Sequence, residues 1–140
     1  MSMIRYLALS FLVLGCASAS GPASHPTNQR ETACIDKAQF TAGHARVTAQ
    51  MQHVLSALTE MDIDAAVTAT RLAAFEERSM ADLFVDYPAI RSHITRAADA
   101  TDSAASAMSA REISNATSFV TQASNEMDLA SVAEDPGMWC

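Results

Sequence analysis

Aromatic residues are scarce in this chain, at 6%. Glycine and proline are scarce too, with four of each. The first scarcity thins the core. Much of the apolar content is alanine, and burying alanine removes little apolar surface from water. The second leaves helix formers in control: between Glu31 and Pro136 only Gly43 and Pro88 interrupt them. β-branched alternation is absent, so no strands are expected. Basic residues are also few, nine Lys and Arg against sixteen Asp and Glu, for a net charge of −7. That balance argues against nucleic acid as a partner and against an electrostatic hold on anionic lipid. No apolar run is long enough to cross a bilayer. The longest, Tyr6 to Leu14, makes about 14 Å of helix against a hydrocarbon core of about 30 Å.

The signatures of common chemistry are missing as well. There is no Cys-x-x-Cys-His for covalent haem, no Glu-x-x-His for a di-iron bundle and no His-Glu-x-x-His for zinc. There is no glycine-rich phosphate loop and no nucleophile elbow. An enzyme is not expected, because no group of residues meets the geometric demands of catalysis.

What is present begins with the leader. Met1 to Arg5 carries one positive charge, and Tyr6 to Leu14 has the length and flanks of a secretory apolar region. The run ends Val13-Leu14-Gly15-Cys16, which resembles the lipobox of bacterial lipoproteins. The resemblance implies that residues 1–15 are a signal peptide and that Cys16 becomes the acylated (palmitate-type) N-terminus. Ala17-Ser18-Ala19 offers the alternative, ordinary signal cleavage that releases a secreted soluble protein. Residues 16–30, rich in Ser, Ala, Pro and Gly, read as a flexible tether with a reach on the order of 20 Å. Residues 31–140 are one domain.

Two cysteines remain after either cleavage, Cys34 and Cys140. An exported setting favours their pairing. Such a staple would contribute up to about 4–5 kcal/mol in the chain-entropy model.

Helical periodicity predicts four helices. The first runs from about Thr32 to Leu58, with Phe40, His44, Val47, Met51, Val54 and Leu58 on one stripe. Thr59 to Asp62, a T-x-x-D box, starts a second helix of roughly Glu60 to Val85. Its inner pattern is expected to be Ala65, Leu72, Phe75, Ser79 and Leu83. The third runs from Pro88 to about Met108 on Ile90, Ile94, Ala97, Thr101, Ala104 and Met108. Ser109 to Glu112 (S-A-R-E) reads as a capping box opening a fourth helix to about Ala133, with Ile113, Ala116, Val120, Ala123, Met127 and Ala130 inward. Glu134 to Gly137 reads as a turn with Pro and Gly in type II order. Trp139 can then fold back and bring Cys140 to Cys34.

An offset of 50 relates Thr59, Asp62, Ile63 and Ala66 to Ser109, Glu112, Ile113 and Ala116. This suggests two similar helical hairpins. The expected fold is all-α, an antiparallel up-down four-helix bundle stapled by one disulfide. Two long helices hinged at Pro88 are the rival arrangement.

Taken whole, the chain resembles a loose group of small, often actinobacterial, Ala-rich helical lipoproteins. The shared features are the lipobox at Cys16, the tether, Cys34 at the start of the body and the closing Cys140. The resemblance implies export and membrane anchoring and carries no chemistry to any residue.

His44, Met51 and His93 are the candidate ligand-binding residues. Met and His together suit haem iron or copper inside a bundle. Residues 44 and 51 lie about 10 Å apart along one helix, so any shared site needs a second helix. The plainer reading makes His44 and Met51 packing residues. Met51-Gln52-His53 resembles a copper fragment, but its side chains point to different faces of a helix. Glu76 and Glu77 read as solvated charges. The Asn115-Ala116-Thr117 sequon falls inside a helix and is assigned no role. No metal or cofactor is expected. The expected function is a membrane-tethered module that binds or scaffolds another envelope protein, lipid-anchored on the extracytoplasmic side. The alternative is a carrier of a small apolar ligand, haem or metal.

Overall fold

The computed structural model describes residues 33–140. The leader, the tether and Cys16 lie outside the described residues. Four helices follow in order: α1 (Lys37–Thr59), α2 (Ile63–Ala81), α3 (Pro88–Ser109) and α4 (Ile113–Val132). Single 3₁₀ turns follow α2 (Asp82–Phe84) and α4 (Pro136–Met138). Consecutive helices pack against one another, α1 on α2, α2 on α3 and α3 on α4, and Val47 of α1 shares an apolar cluster with Ala130 of α4. The chain leaves helix after both α1 and α3, so four antiparallel helices form and the two-helix arrangement is excluded.

The entry differs from expectation. Cys34 precedes α1 and is not inside it, because Ile35 is extended and pairs in parallel with Trp139. Ile35 N–H donates to Met138 O at 2.8 Å and Cys140 N–H to Ile35 O at 3.0 Å. Asp36 then caps α1, its carboxylate accepting from Ala38 N–H at 2.8 Å. Helix starts leave amide protons free, and a short acidic side chain is suited to take them. The bridge sets the two cysteines side by side. They form a disulfide with their Cα atoms 4.9 Å apart.

The two capping boxes are corrected. Thr59 and Ser109 are the last residues of α1 and α3, and the N-caps of α2 and α4 are Asp62 and Glu112. Between them Met61 and Arg111 take left-handed backbone, φ 59° and 61°. Asp62 N–H donates to Ala57 O and Glu112 N–H to Ala107 O, both at 2.8 Å. Met61 N–H reaches Leu58 O at 3.2 Å and Arg111 N–H reaches Met108 O at 2.9 Å. Each turn is therefore a Schellman motif, and each fills its left-handed position without glycine. The type II reading of the last turn is also corrected. Among the described residues no glycine has positive φ, and Asp135 instead caps a 3₁₀ turn by accepting from Gly137 N–H at 2.8 Å.

The largest correction concerns α2. Leu72 and Phe75, expected inside, are exposed, and the buried face is Ala66, Ala69, Thr70, Ala73, Glu77 and Met80. The reason lies in the spacing between helices. Small side chains let backbones come close, and α3 brings Ala104 and Ala105, both fully buried, into one apolar cluster with Ala66 and Ala69 of α2. On the other side, a Cβ added to Gly43 of α1 would lie 2.6 Å from Met80 Cγ. The expected α3 stripe holds: Ile90, Ile94, Ala97, Thr101, Ala104 and Met108 are all buried. Large side chains gather at the disulfide end. Phe84 is fully buried, 5.5 Å centroid to centroid from Phe40 and 6.2 Å from Trp139, edge-on to both.

Two predictions follow from these constraints. Cys34→Ala will free a thiol at Cys140 and lower stability by about 2–4 kcal/mol, read by thiol titration and urea unfolding. Met61→Gly and Arg111→Gly will each raise stability by up to about 1 kcal/mol, since a left-handed residue with a Cβ is strained. Chemical denaturation of the two variants checks this.

Candidate functional site

The three residues singled out for ligand binding lie on two helices, His44 and Met51 on α1 and His93 on α3. His93, near the start of α3, turns to α4. Its Nδ1 lies 2.7 Å from Glu126 Oε2 and 2.7 Å from Arg96 Nη2. Arg96 Nε also reaches Glu126 Oε2 at 3.0 Å. The His93 and Arg96 hydrogen bonds hold the Glu126 carboxyl below the usual carboxylate range. His44 and Met51 are half-buried on α1, and Met51 packs against both main apolar clusters. Among the described residues no three His, Cys, Asp or Glu side chains converge as a metal site. His53 is exposed.

The Arg96–Glu126 pair has a counterpart fifty residues earlier. Arg46 Nε donates to Glu76 Oε2 at 2.7 Å, joining α1 to α2 as Arg96 and Glu126 join α3 to α4. The same atoms meet in both hairpins, and the same Schellman turns close them. The repeat suggested by a few matched residues is therefore a repeat of structure. The half-exposed arginines place each pair near the surface, where such contacts contribute about 0.2–1 kcal/mol.

Against this shared frame the two hairpins differ in two places. The first is inside. Thr70, Glu77 and Thr101 are buried, where the offset of 50 puts Val120, Met127 and Met51. Glu77 was expected in solvent and is only 5% exposed. Burial pushes its carboxyl up to about 7, opposed by Thr101 and Arg78. Arg78 is drawn mainly to α3, with Nη2 2.5 Å from Asp102 Oδ2 and 3.1 Å from Asp99 Oδ1.

The second difference is outside. Leu72 and Phe75, one turn apart, stand 47% and 63% exposed on the outward face of α2. The corresponding residues of α4 are Gln122 and Asn125. Neighbours three apart on a helix form one surface. This pair therefore makes an apolar patch at a position where the other hairpin is polar, with Arg71 exposed beside it; α4 exposes a different apolar pair, Leu129 and Val132, where α2 has Ser79 and the chain has Asp82. Sequence periodicity missed the patch because it assigned both residues to the interior. The comparison of the two hairpins at the offset of 50 was the signal that could have shown it.

A shallow, open hollow of about 450 Å³ lies at the α3–α4 turn, lined by Asp102, Ser106, Ala107, Glu112 and Phe119. Its lack of enclosure and its two carboxylates suit it poorly to an apolar ligand. Among the described residues no helix is long and apolar enough to cross a membrane. No protein family, no curated protein and no solved structure matches the chain.

Proposed function

We propose that this protein is an exported, lipid-anchored helical bundle that binds another envelope protein through the outward face of α2. The observation that carries the reading is the exposed Leu72–Phe75 pair. Solvent-facing large apolar neighbours lower solubility, and contiguous ones mark interaction surfaces. Their replacement by Gln122 and Asn125 in the second hairpin means the fold itself does not require them.

The anchor suits this use. In this reading the acylated residue is Cys16, and residues 17–30 join the body at the disulfide end. The body's α1, 23 residues long, extends roughly 35 Å from that end. A flexible tether lets the α2 face turn toward a partner at the extracytoplasmic surface of the cell membrane. The acidic excess leaves membrane attachment to the acyl chains alone.

Two experiments test the two halves of the reading. Cys16→Ala will move the protein from the membrane fraction to the soluble fraction or block its processing. Normal processing with full membrane retention would refute the anchor. For the surface, a photo-crosslinking residue at position 75 will trap one defined envelope protein in the native host. The Leu72→Ser/Phe75→Ser double variant will lose that partner in co-purification while its stability stays within about 0.5 kcal/mol of the parent per site. Retention of the same partner at the same yield by the double variant would refute the surface.

A further inference from the structure

The buried carboxyl between α2 and α3 has no use in the binding role, and its surroundings point to a second property. Glu77 Oε2 has no hydrogen-bond partner within the protein. A side-chain hydrogen bond with Thr101 and the charge of Arg78 favour its ionised form, but burial outweighs both. The Thr101 hydroxyl already donates to Ala97 O at 3.0 Å, and the Thr70 hydroxyl donates to Ala66 O at 2.8 Å. A hydroxyl has one proton, so Thr101 serves the carboxylate poorly, and an ionised Glu77 keeps Oε2 buried without a donor.

We propose that Glu77 is a proton-held latch between the two hairpins. Protonated, it closes the α2–α3 seam; ionised, it loosens that seam. The seam matters because α2 and α3 form the main helix-to-helix contact between the two hairpins, which are otherwise tied at the Ile35–Trp139 bridge and the disulfide. The charged groups acting on Glu77 are Arg78 on its own helix and Asp102 on α3. Arg78 opposes the effect weakly, since it is engaged by Asp99 and Asp102, and Asp102 reinforces it. Among the described residues no charged group of α1 or α4 acts on Glu77. The second hairpin has Met127 at the equivalent position, so the frame accepts an uncharged side chain of similar length there.

The sign follows from linkage. The carboxyl titrates at 4.5 in the unfolded chain and about 7 in the folded one. Its contribution is fully present below 4.5, is lost as pH rises toward 7, and stays lost above it. That interval corresponds to a loss of roughly two orders of magnitude in the folding equilibrium constant. Glu134, also raised by burial, shares this direction, and Glu126, lowered by His93, opposes it. The test must therefore read the difference between variants.

Urea unfolding and amide exchange of the full body would be measured from pH 5 to pH 8.5 for the parent, Glu77→Gln and Glu77→Met. The parent should lose at least tenfold in folding constant relative to both variants between the two ends. Its amides along α2 and α3 should lose protection relative to the variants over the same range. A constant parent-to-variant ratio would overturn the proposal. So would a Glu77 carboxyl that titrates below pH 5 by carbon NMR in the parent, a measurement that stands even where a variant fails to fold. Titration near 7 with no change in α2–α3 protection would also overturn the latch.

Discussion

Close approach of alanine-faced helices is the constraint on which this structure rests. Alanine buries little area, so the body gains less from each contact than a leucine-rich bundle does. It compensates by bringing backbones together, and close backbones admit only small side chains. Leu72 and Phe75 cannot fit between α2 and α3, so they face water. Gly43 sits where α1 and α2 come nearest, under Met80. The remaining large residues collect at the disulfide end, where Phe40, Phe84 and Trp139 pack ring against ring. A thin core also explains why the covalent link carries weight in a domain of this size.

The two hairpins share turns, helix boundaries and a surface ion pair, and these common parts specify the frame. Function is more legible in what the halves do not share. The first hairpin departs from the second by placing an acid inside, at Glu77, and apolar side chains outside, at Leu72 and Phe75. Both departures reverse the ordinary preference of the residue concerned. Both lie on α2, on opposite faces of one helix. One helix therefore carries a titratable group on its inner side and large apolar side chains on its outer side.

Much of the fold was legible in the sequence. Scarce glycine and proline, the Ile90–Ile94 stripe and the positions of Cys34 and Cys140 were enough for four helices closed by a disulfide. The phase of α2 was not legible, because a periodicity argument weighs leucine and phenylalanine above alanine, while packing here selects for smallness. The caps were displaced by three residues. Thr59 and Ser109 resemble N-caps, and only the left-handed Met61 and Arg111, at positions that usually need glycine, reveal that the N-cap positions are Asp62, whose carboxylate accepts from Ala65 N–H, and Glu112, whose side chain makes no capping bond. Glu77 was illegible for a simple reason: a carboxylate beside another carboxylate usually reads as solvated, and nothing local marks the exception. Of the candidate ligands, His93 reaches across to Glu126 of α4, a partner too distant in sequence for periodicity to reveal.

The join between Cys34 and Cys140 turns the helical body into a covalent ring. A protease that cuts a linear domain once separates it into two diffusing pieces. Here one cut at the 60–62 turn, the 82–87 connection or the 110–112 turn leaves a single molecule, opened but undivided. The severed ends stay within reach of each other, and the hairpins can close again over the nick. Two cuts are needed to release a fragment. Survival of the first is a durability that arises from topology and needs no deeper core.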